Sequence, residues 1–259
     1  MLPQYNVLQM RAAFRPPGAA GTTRSIRQPP IDPGPDFENL LVQSGVWCYS
    51  INYLTGRYRY LSPGVERLLG YDHQAWQFGG LQSVFRHLHA DDRECLRKIH
   101  REIAKELERH PVGERGNLVF VYTCRMLAAN GSVVHLNHHV TFTSFDARGH
   151  PLTDFVVVSD ITALNASTAC LLHVKQRAPE GDRVRHTTLF RCDQVVEVSP
   201  RELEVLQLVD RGLSSQKIAD HLYISYNTVC THRKNLLRKA GVSSTVQLLQ
   251  YARKAGLLD

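Results

Sequence analysis

The 259-residue sequence predicts an α+β architecture, an antiparallel-sheet domain with short helices followed by an all-α domain of four helices. Three observations carry this. From Gly45 to Thr162, apolar residues recur with period two in short runs bounded by turn residues. Asn130-Gly131, between two such runs, is the strongest short hairpin signal. From Val198 onward the apolar period becomes that of a helix, and each helical run opens on a serine.

Residues 1–37 carry seven of the twelve prolines, with Gly and Arg between them, a composition expected neither to sustain a helix nor to fill a core. We read them as a disordered basic tail whose Arg11, Arg15, Arg24 and Arg27 are solvated. Residues 38–165 make the first domain. "VWCYSINY", a turn at Thr55-Gly56 and "RYRYLS" form a hairpin with Tyr58 and Tyr60 on one face. In "SPGVERLLGYD", Ser62 is the expected cap, Pro63 the first helical residue and Gly70 the stop. A longer helix is expected over 91–109. The strands "NLVFVYTCRML", "SVVHLNHHVTFTSF" and "LTDFVVVSDIT" close the sheet, the last two joined by a turn at Arg148-Gly149.

This order, with "SPGVERLLGY" (62–71), "HLHADDRE" (87–94), "RMLAANGSVVHL" (125–136) and "SDIT" (159–162), resembles the PAS fold. The resemblance implies a sensory or dimerisation module, some members of which hold a small molecule, heme or flavin between sheet and helices. No signature here ties to a cofactor, so none is expected, and the ligand is left open. Residues 166–197 are a linker or an added hairpin, with "CLLHVKQ" and "TTLFRC" as possible strands.

Residues 198–259 make the second domain. Ser199 and Glu202 form a capping box, with Pro200 at the first helical position, Val198 stapling onto Leu203, and Gly212 as the stop. A second helix follows cap Ser214, with Ile218 and Leu222 inward. Tyr223–Ser225 separate it from a third, capped by Ser225 and stopped by Gly241. Two helices joined by so short a turn form a helix-turn-helix, whose second helix enters the major groove. At about 100° per residue, Val229, Leu236, Leu237 and Ala240 form the core side of the third helix. Asn227, Cys230, Thr231, Lys234 and Arg238 form the opposite side. A fourth helix after Ser243 or Ser244 packs through Leu248, Leu249 and Ala252, with Val246 or Tyr251 left for a partner. Because these caps, stops and stripes are all internal, a fragment from about residue 190 is expected to fold alone.

The run "SPRELEVLQLVDRGLSSQKIADHLYISYNTVCTHRKNLLRKAGV" resembles the LuxR-type helix-turn-helix domain of bacterial transcription regulators. The resemblance implies double-stranded DNA as partner, read by the third helix, with the fourth supporting a homodimer. The family often has a basic residue after "TV", where this chain has Cys230, so no base preference transfers. Lys234 and Thr231 are assigned to base edges; Lys217, Thr228, Arg233 and Arg238 to phosphates, with Tyr226 and Asn227 on the same surface. Arg233 has a second assignment, an ion pair with Glu202 or Glu204. Cys230 fits a thymine methyl, or alternatively a redox switch, although no resolving cysteine lies nearby in sequence.

The formal charge of +7 favours a polyanionic partner. With no run of roughly 18 apolar residues and no cleavable leader, the expectation is a cytoplasmic protein without membrane contact. The six cysteines are scattered without a CxxC pair and are expected to be mostly reduced and buried. The histidine pairs His87/His89 and His135/His139 supply no complete ligand set, so no metal is expected. Asp91-Asp92 precedes a helix rather than following a strand, which argues against a phosphoacceptor. GxSxG, HExxH and a phosphate-binding glycine loop are missing, which argues against an enzyme. The conclusion is a homodimeric one-component transcription regulator acting on an approximate inverted repeat. Its rivals are a PAS-mediated signalling adaptor and a heme or flavin sensor.

Overall fold

A computed structural model describes residues 10, 13–14, 33–164, 170–190, 195–255 and 257–258; the remaining tail residues, its four arginines included, and Cys192 lie outside these. Alternation of apolar residues builds a single antiparallel sheet, ordered β2-β1-β5-β4-β3-β6-β7-β8. Its strands are β1 (Val46–Asn52), β2 (Arg57–Leu61), β3 (Leu118–Leu127), β4 (Val133–Phe145), β5 (Pro151–Asp160), β6 (Cys170–Gln176), β7 (Arg183–Phe190) and β8 (Val195–Val198). The β3–β4 hairpin pairs Leu127 with Val133 around Gly131, whose φ of +84° is the conformation that favours glycine. β6 extends the sheet along β3, pairing Tyr122 with Leu172, and β7 and β8 follow in turn. Residues 170–176 and 183–190 are therefore paired strands of the sheet, the added hairpin of the two sequence alternatives rather than a linker.

Helices cover the inner face. They are α2 (Gly64–Leu69), α3 (His73–Gly79), α4 (Leu81–His87) and α5 (Asp92–Glu108), while α1 (Pro35–Gln43) lies outside, with Leu41 against Cys48 and Tyr60. α5 is within one residue of expectation at each end. α3, capped by the Asp72 carboxylate accepting the Ala75 N–H at 2.7 Å, and α4 are helices the sequence reading did not mark out. Ser62 does not cap α2. Its hydroxyl accepts the N–H of Cys48 at 2.9 Å, because that buried donor at the edge of the hairpin needs a partner more than the helix end does. Pro63 stands at the cap position instead of the first helical one.

The main core lies between sheet and helices and contains Phe120, Phe142, Leu136, Ile99, Ile103 and Leu88. Met10 and Phe14 belong to it, both nearly inaccessible to solvent. The expectation that residues 1–37 cannot fill a core fails at these two positions. Proline spacing constrains backbone, but two apolar side chains in a polar segment still gain from burial. Asp92 is also buried, its carboxylate taking the backbone N–H of Arg125 at 2.6 Å and the Arg125 guanidinium.

The C-terminal helices are α6 (Pro200–Asp210), α7 (Ser215–Leu222), α8 (Tyr226–Ala240) and α9 (Thr245–Lys254). Their cap hydroxyls, on Ser199, Ser214, Ser225 and Ser244, each accept the expected backbone N–H, and the Ser199–Glu202 capping box is complete. Val205, Leu206, Ile218, Val229, Leu236, Leu248 and Ala252 form their core. That core is not wholly internal. Leu171 of β6, Leu189 of β7 and Val198 of β8 complete it, because alternate residues of these strands face away from the sheet's own core.

Candidate nucleic-acid interface and interior cavity

The helix-turn-helix is positioned by one strained residue and several polar ties. Tyr223 has φ +54°, an uncommon conformation for a residue with a side chain, and it ends α7 so that α8 can start three residues later. Arg201 donates to the Leu222 carbonyl at 2.5 Å, fixing this turn to α6. Glu202, nearly inaccessible, accepts the Ser199 N–H and the Lys239 ammonium at 2.6 Å, joining α6 to α8. Burial alone would raise the Glu202 carboxyl, but Lys239 and the Ser199 N–H outweigh it and hold it below the ordinary carboxylate range.

Arg233 is not paired with either glutamate. Its guanidinium donates to Ser215 Oγ at 2.9 Å and Thr245 Oγ1 at 3.0 Å, bracing the first residues of α7 and α9 against α8. Glu202 is taken by Lys239, and Glu204 by Arg201. Arg253 pairs with Asp210 and closes α9 onto α6. Apart from the Ser199–Glu202 capping box and the Arg201–Glu204 pair, each three residues apart, these ties were not legible in sequence, since their partners lie 12 to 43 positions apart.

The bracing leaves one side of α8 outward. Tyr226, Asn227, Thr228, Thr231, Lys234 and Arg238 are exposed and Cys230 half-exposed, while Val229 and Leu236 point inward. Lys217 is exposed on α7. The side chains of Lys217, Lys234 and Arg238 have no hydrogen-bond or ion-pair partner among the described residues, so their charge is available to an anion. Thr231 Oγ1 donates to the Asn227 carbonyl at 2.9 Å, which leaves the oxygen able only to accept. Thr228 Oγ1 shares a hydrogen bond with Ser225 Oγ at 2.8 Å. The Cys230 thiol is close enough to the Tyr226 phenol to raise it above its ordinary value. Packing against β6–β8 therefore leaves this surface uncovered.

A second site lies inside the sheet domain, a cavity of about 30 Å³ bounded by β1, β3, β4, β5, α4 and α5. By volume it holds no more than two or three waters. Its lining includes polar residues from the sheet, Asp154, His138 and Tyr122, and from the helix, His100. Asp154 Oδ1 accepts the Ile51 N–H at 2.7 Å and Oδ2 the Tyr53 hydroxyl at 2.9 Å. Burial pushes this carboxyl up to about 7, against the pull of those donors. His138 stacks on Tyr122 at 4.8 Å and His100 stands edge-on to Tyr122 at 6.0 Å. Burial lowers each imidazole to about 3, so both are neutral. These residues had a sequence signal that went unused. Asp154 falls in phase with Leu152 and Val156, and His138 with Leu136 and Val140, so each is a polar residue at an inward position.

The other histidines do not converge. His87 packs in one aromatic cluster with Tyr71 and Trp76, tilted against the first at 4.0 Å and stacked on the second at 5.4 Å, and His135 and His139 lie half-buried on the outer face of the sheet. Among the described residues, no group of three or more His, Cys, Asp or Glu is placed to hold a metal. Cys48, Cys95, Cys124 and Cys170 are buried free thiols. No helix among the described residues is long and apolar enough to cross a membrane.

Residues 197–252 match the family described as bacterial regulatory proteins, luxR family, and residues 58–155 match the PAS fold. Over 62 residues the chain is 39% identical to the oxygen regulatory protein NreC of Staphylococcus aureus; the match covers 24% of this chain and 29% of NreC. Among solved structures, the transcription factor GerE is 35% identical over 24% of this chain and 92% of its own, with a TM-score of 0.24. The VqmA dimer of Vibrio cholerae is 19% identical over 86% of this chain and 88% of its own, with a TM-score of 0.37. The C-terminal helices thus form a domain matching the luxR family of bacterial regulatory proteins, the sheet domain matches the PAS fold, and the chain spans less than a third of the length of the curated relatives it matches.

Proposed function

We propose that the protein is a homodimeric, cytoplasmic, sequence-specific transcription regulator that lays α8 in the major groove of an approximate inverted repeat, while its PAS domain senses a signal or mediates dimerisation. The observation that carries this is the outward side of α8, a braced helix with two exposed cations and short polar side chains. Lys234 and Thr231 read base edges, and Cys230 meets a thymine methyl. Lys217, Arg238 and Thr228 hold phosphates, with Tyr226 and Asn227 at the margin near the helix N-terminus. Arg233 supports the surface through Ser215 and Thr245 rather than touching DNA. The exposed Val246 of α9 is available to a second copy.

Selection of bound duplexes from a random pool by the full chain tests this reading. The expected outcome is an enriched palindrome with half-sites about one helical turn apart. Recovery of unrelated sequences, or of single half-sites only, contradicts it.

A further inference from the structure

We propose that Tyr223 is a DNA-contact residue, its phenol hydroxyl donating to a backbone phosphate at the margin of the groove that α8 enters. This rests on the reading of α8 as the recognition helix and adds to it a contact from the turn before that helix. Three helices of the C-terminal domain stop in the same way. After α6, Gly212 N–H bonds the Val209 carbonyl and Leu213 N–H the Leu208 carbonyl; after α8, Gly241 N–H bonds Arg238 and Val242 N–H bonds Leu237. After α7 the same two bonds run from Tyr223 to Asp220 at 3.4 Å and from Ile224 to Ala219 at 3.0 Å. The pivot residues share one left-handed conformation, with φ of +80° at Gly212, +66° at Gly241 and +54° at Tyr223. Among the described residues Tyr223 is the only one with a side chain to adopt a positive φ. A Cβ in this conformation crowds the following carbonyl, so glycine is what the fold alone favours at such a stop.

The tyrosine side chain gives the fold nothing to offset that strain. It is 95% exposed, and its hydroxyl has no hydrogen-bond partner among the described residues. A strained residue that leaves a large aromatic ring in water points to a partner outside the fold. Its position says which partner. Ile224 turns inward onto the helical core, as Leu213 and Val242 do at the other two stops, and so Tyr223 is left on the outside. It stands two residues before the cap Ser225 and three before the exposed Tyr226, at the end of α8 that also carries Asn227 and Thr228. A duplex that receives this end of α8 in its major groove brings its sugar-phosphate strands to the groove margins. A phosphate oxygen only accepts, and the free phenol O–H is a neutral donor suited to it.

Affinity for the duplex selected by the wild-type chain, with thermal melting and a salt titration, tests the proposal in full-length Tyr223→Gly and Tyr223→Phe. Tyr223→Gly should melt at or above the wild-type temperature and bind every duplex about fivefold more weakly. Tyr223→Phe, which keeps the ring and lacks only the hydroxyl, should lose about as much. The salt slope should stay at the wild-type value in both, because a neutral donor releases no counterion, in contrast to the loss of Lys217. Wild-type affinity in both variants overturns the proposal, and is the result expected of a ring that serves a protein partner instead. Wild-type affinity in Tyr223→Phe alone overturns the phosphate bond, and a loss confined to particular base pairs overturns the backbone assignment. A Tyr223→Gly protein that unfolds several degrees below the wild type shows that the tyrosine serves the fold, which also overturns it. A wild-type chain that selects no duplex overturns the regulator reading and this contact together, whereas wild-type binding matched by both variants removes Tyr223 alone.

Discussion

In the PAS domain Asp154, His100, His138 and the Asp92–Arg125 pair are packed inside the core, whereas the helical domain keeps its core apolar apart from Glu202 and turns its other charges to the surface. The first arrangement suits recognition of something small enough to be enclosed. The second suits a polyanion too large to enclose, met by cations whose scaffold is held from behind. The two cores are nonetheless joined, since successive residues of β6 and β7 face opposite ways. Leu172 belongs to the sheet core, whereas Leu171 and Leu189 belong to the helical one.

The sharpest way to break this contrast is at the buried pair. Arg125→Ala leaves the Asp92 carboxylate buried without its counter-ion and should destabilise the full chain by about 3–5 kcal/mol in urea unfolding. A loss below about 1 kcal/mol means the interior tolerates an unpaired charge. In the helical domain, Glu202→Ala removes both the capping-box partner of Ser199 and the anchor of Lys239, and should cost about 2 kcal/mol. Because the Glu202 carboxyl is held below its ordinary value, its contribution is present at neutral pH and lost as pH falls through the folded value. A Glu202→Ala protein whose stability matches the wild type at pH 7 contradicts the anchor.

The titrating interior makes a prediction of its own. His100 and His138 titrate near 3 in the fold, so below their ordinary 6.5 the unfolded chain takes up protons the fold refuses, and stability falls with falling pH. Asp154, raised to about 7 from 3.8, acts with the opposite sign: its contribution is complete below 3.8 and lost as pH rises through 7. Asp154→Asn removes that compensation. Between pH 4 and 6.5 the acid-side loss should steepen by about one proton, roughly 1.4 kcal/mol per pH unit. An unchanged slope shows that the carboxyl is not titrating inside the fold.

The smallest expected effect is at Cys230. Replacing it with serine should keep fold and salt dependence and alter base preference by less than about 1 kcal/mol at one or two positions, with wild-type binding insensitive to mild peroxide. Reversible loss of DNA binding on oxidation, abolished in Cys230→Ser, makes this half-exposed thiol a sensor instead.

The helical domain was readable almost to the residue because its signals are local. A serine hydroxyl and the N–H three positions on belong to the same turn, so Ser199, Ser214, Ser225 and Ser244 mark their helices without reference to the rest of the chain. Ser62 carried the same local signal and did something else, because Cys48 lies across the hairpin from it. Arg233 was assigned by charge to glutamate or phosphate, and hydroxyls brought near by folding took it. The burial of Met10 and Phe14 runs against the composition around them. Asp154 and His138 occupied inward positions, but strand alternation alone does not say what a polar residue there is for.

The most direct test of the central claim, that the outward side of α8 reads DNA, is a profile of operator affinity against every single-base substitution for wild type, Lys234→Ala and Lys217→Ala. The account predicts that Lys234→Ala loses about 1–3 kcal/mol and relaxes preference at one position of each half-site, whereas Lys217→Ala weakens all sequences alike and lowers the salt slope by about one unit. Even losses across all sequences for both variants would contradict the assignment of Lys234 to a base and leave α8 holding only the backbone.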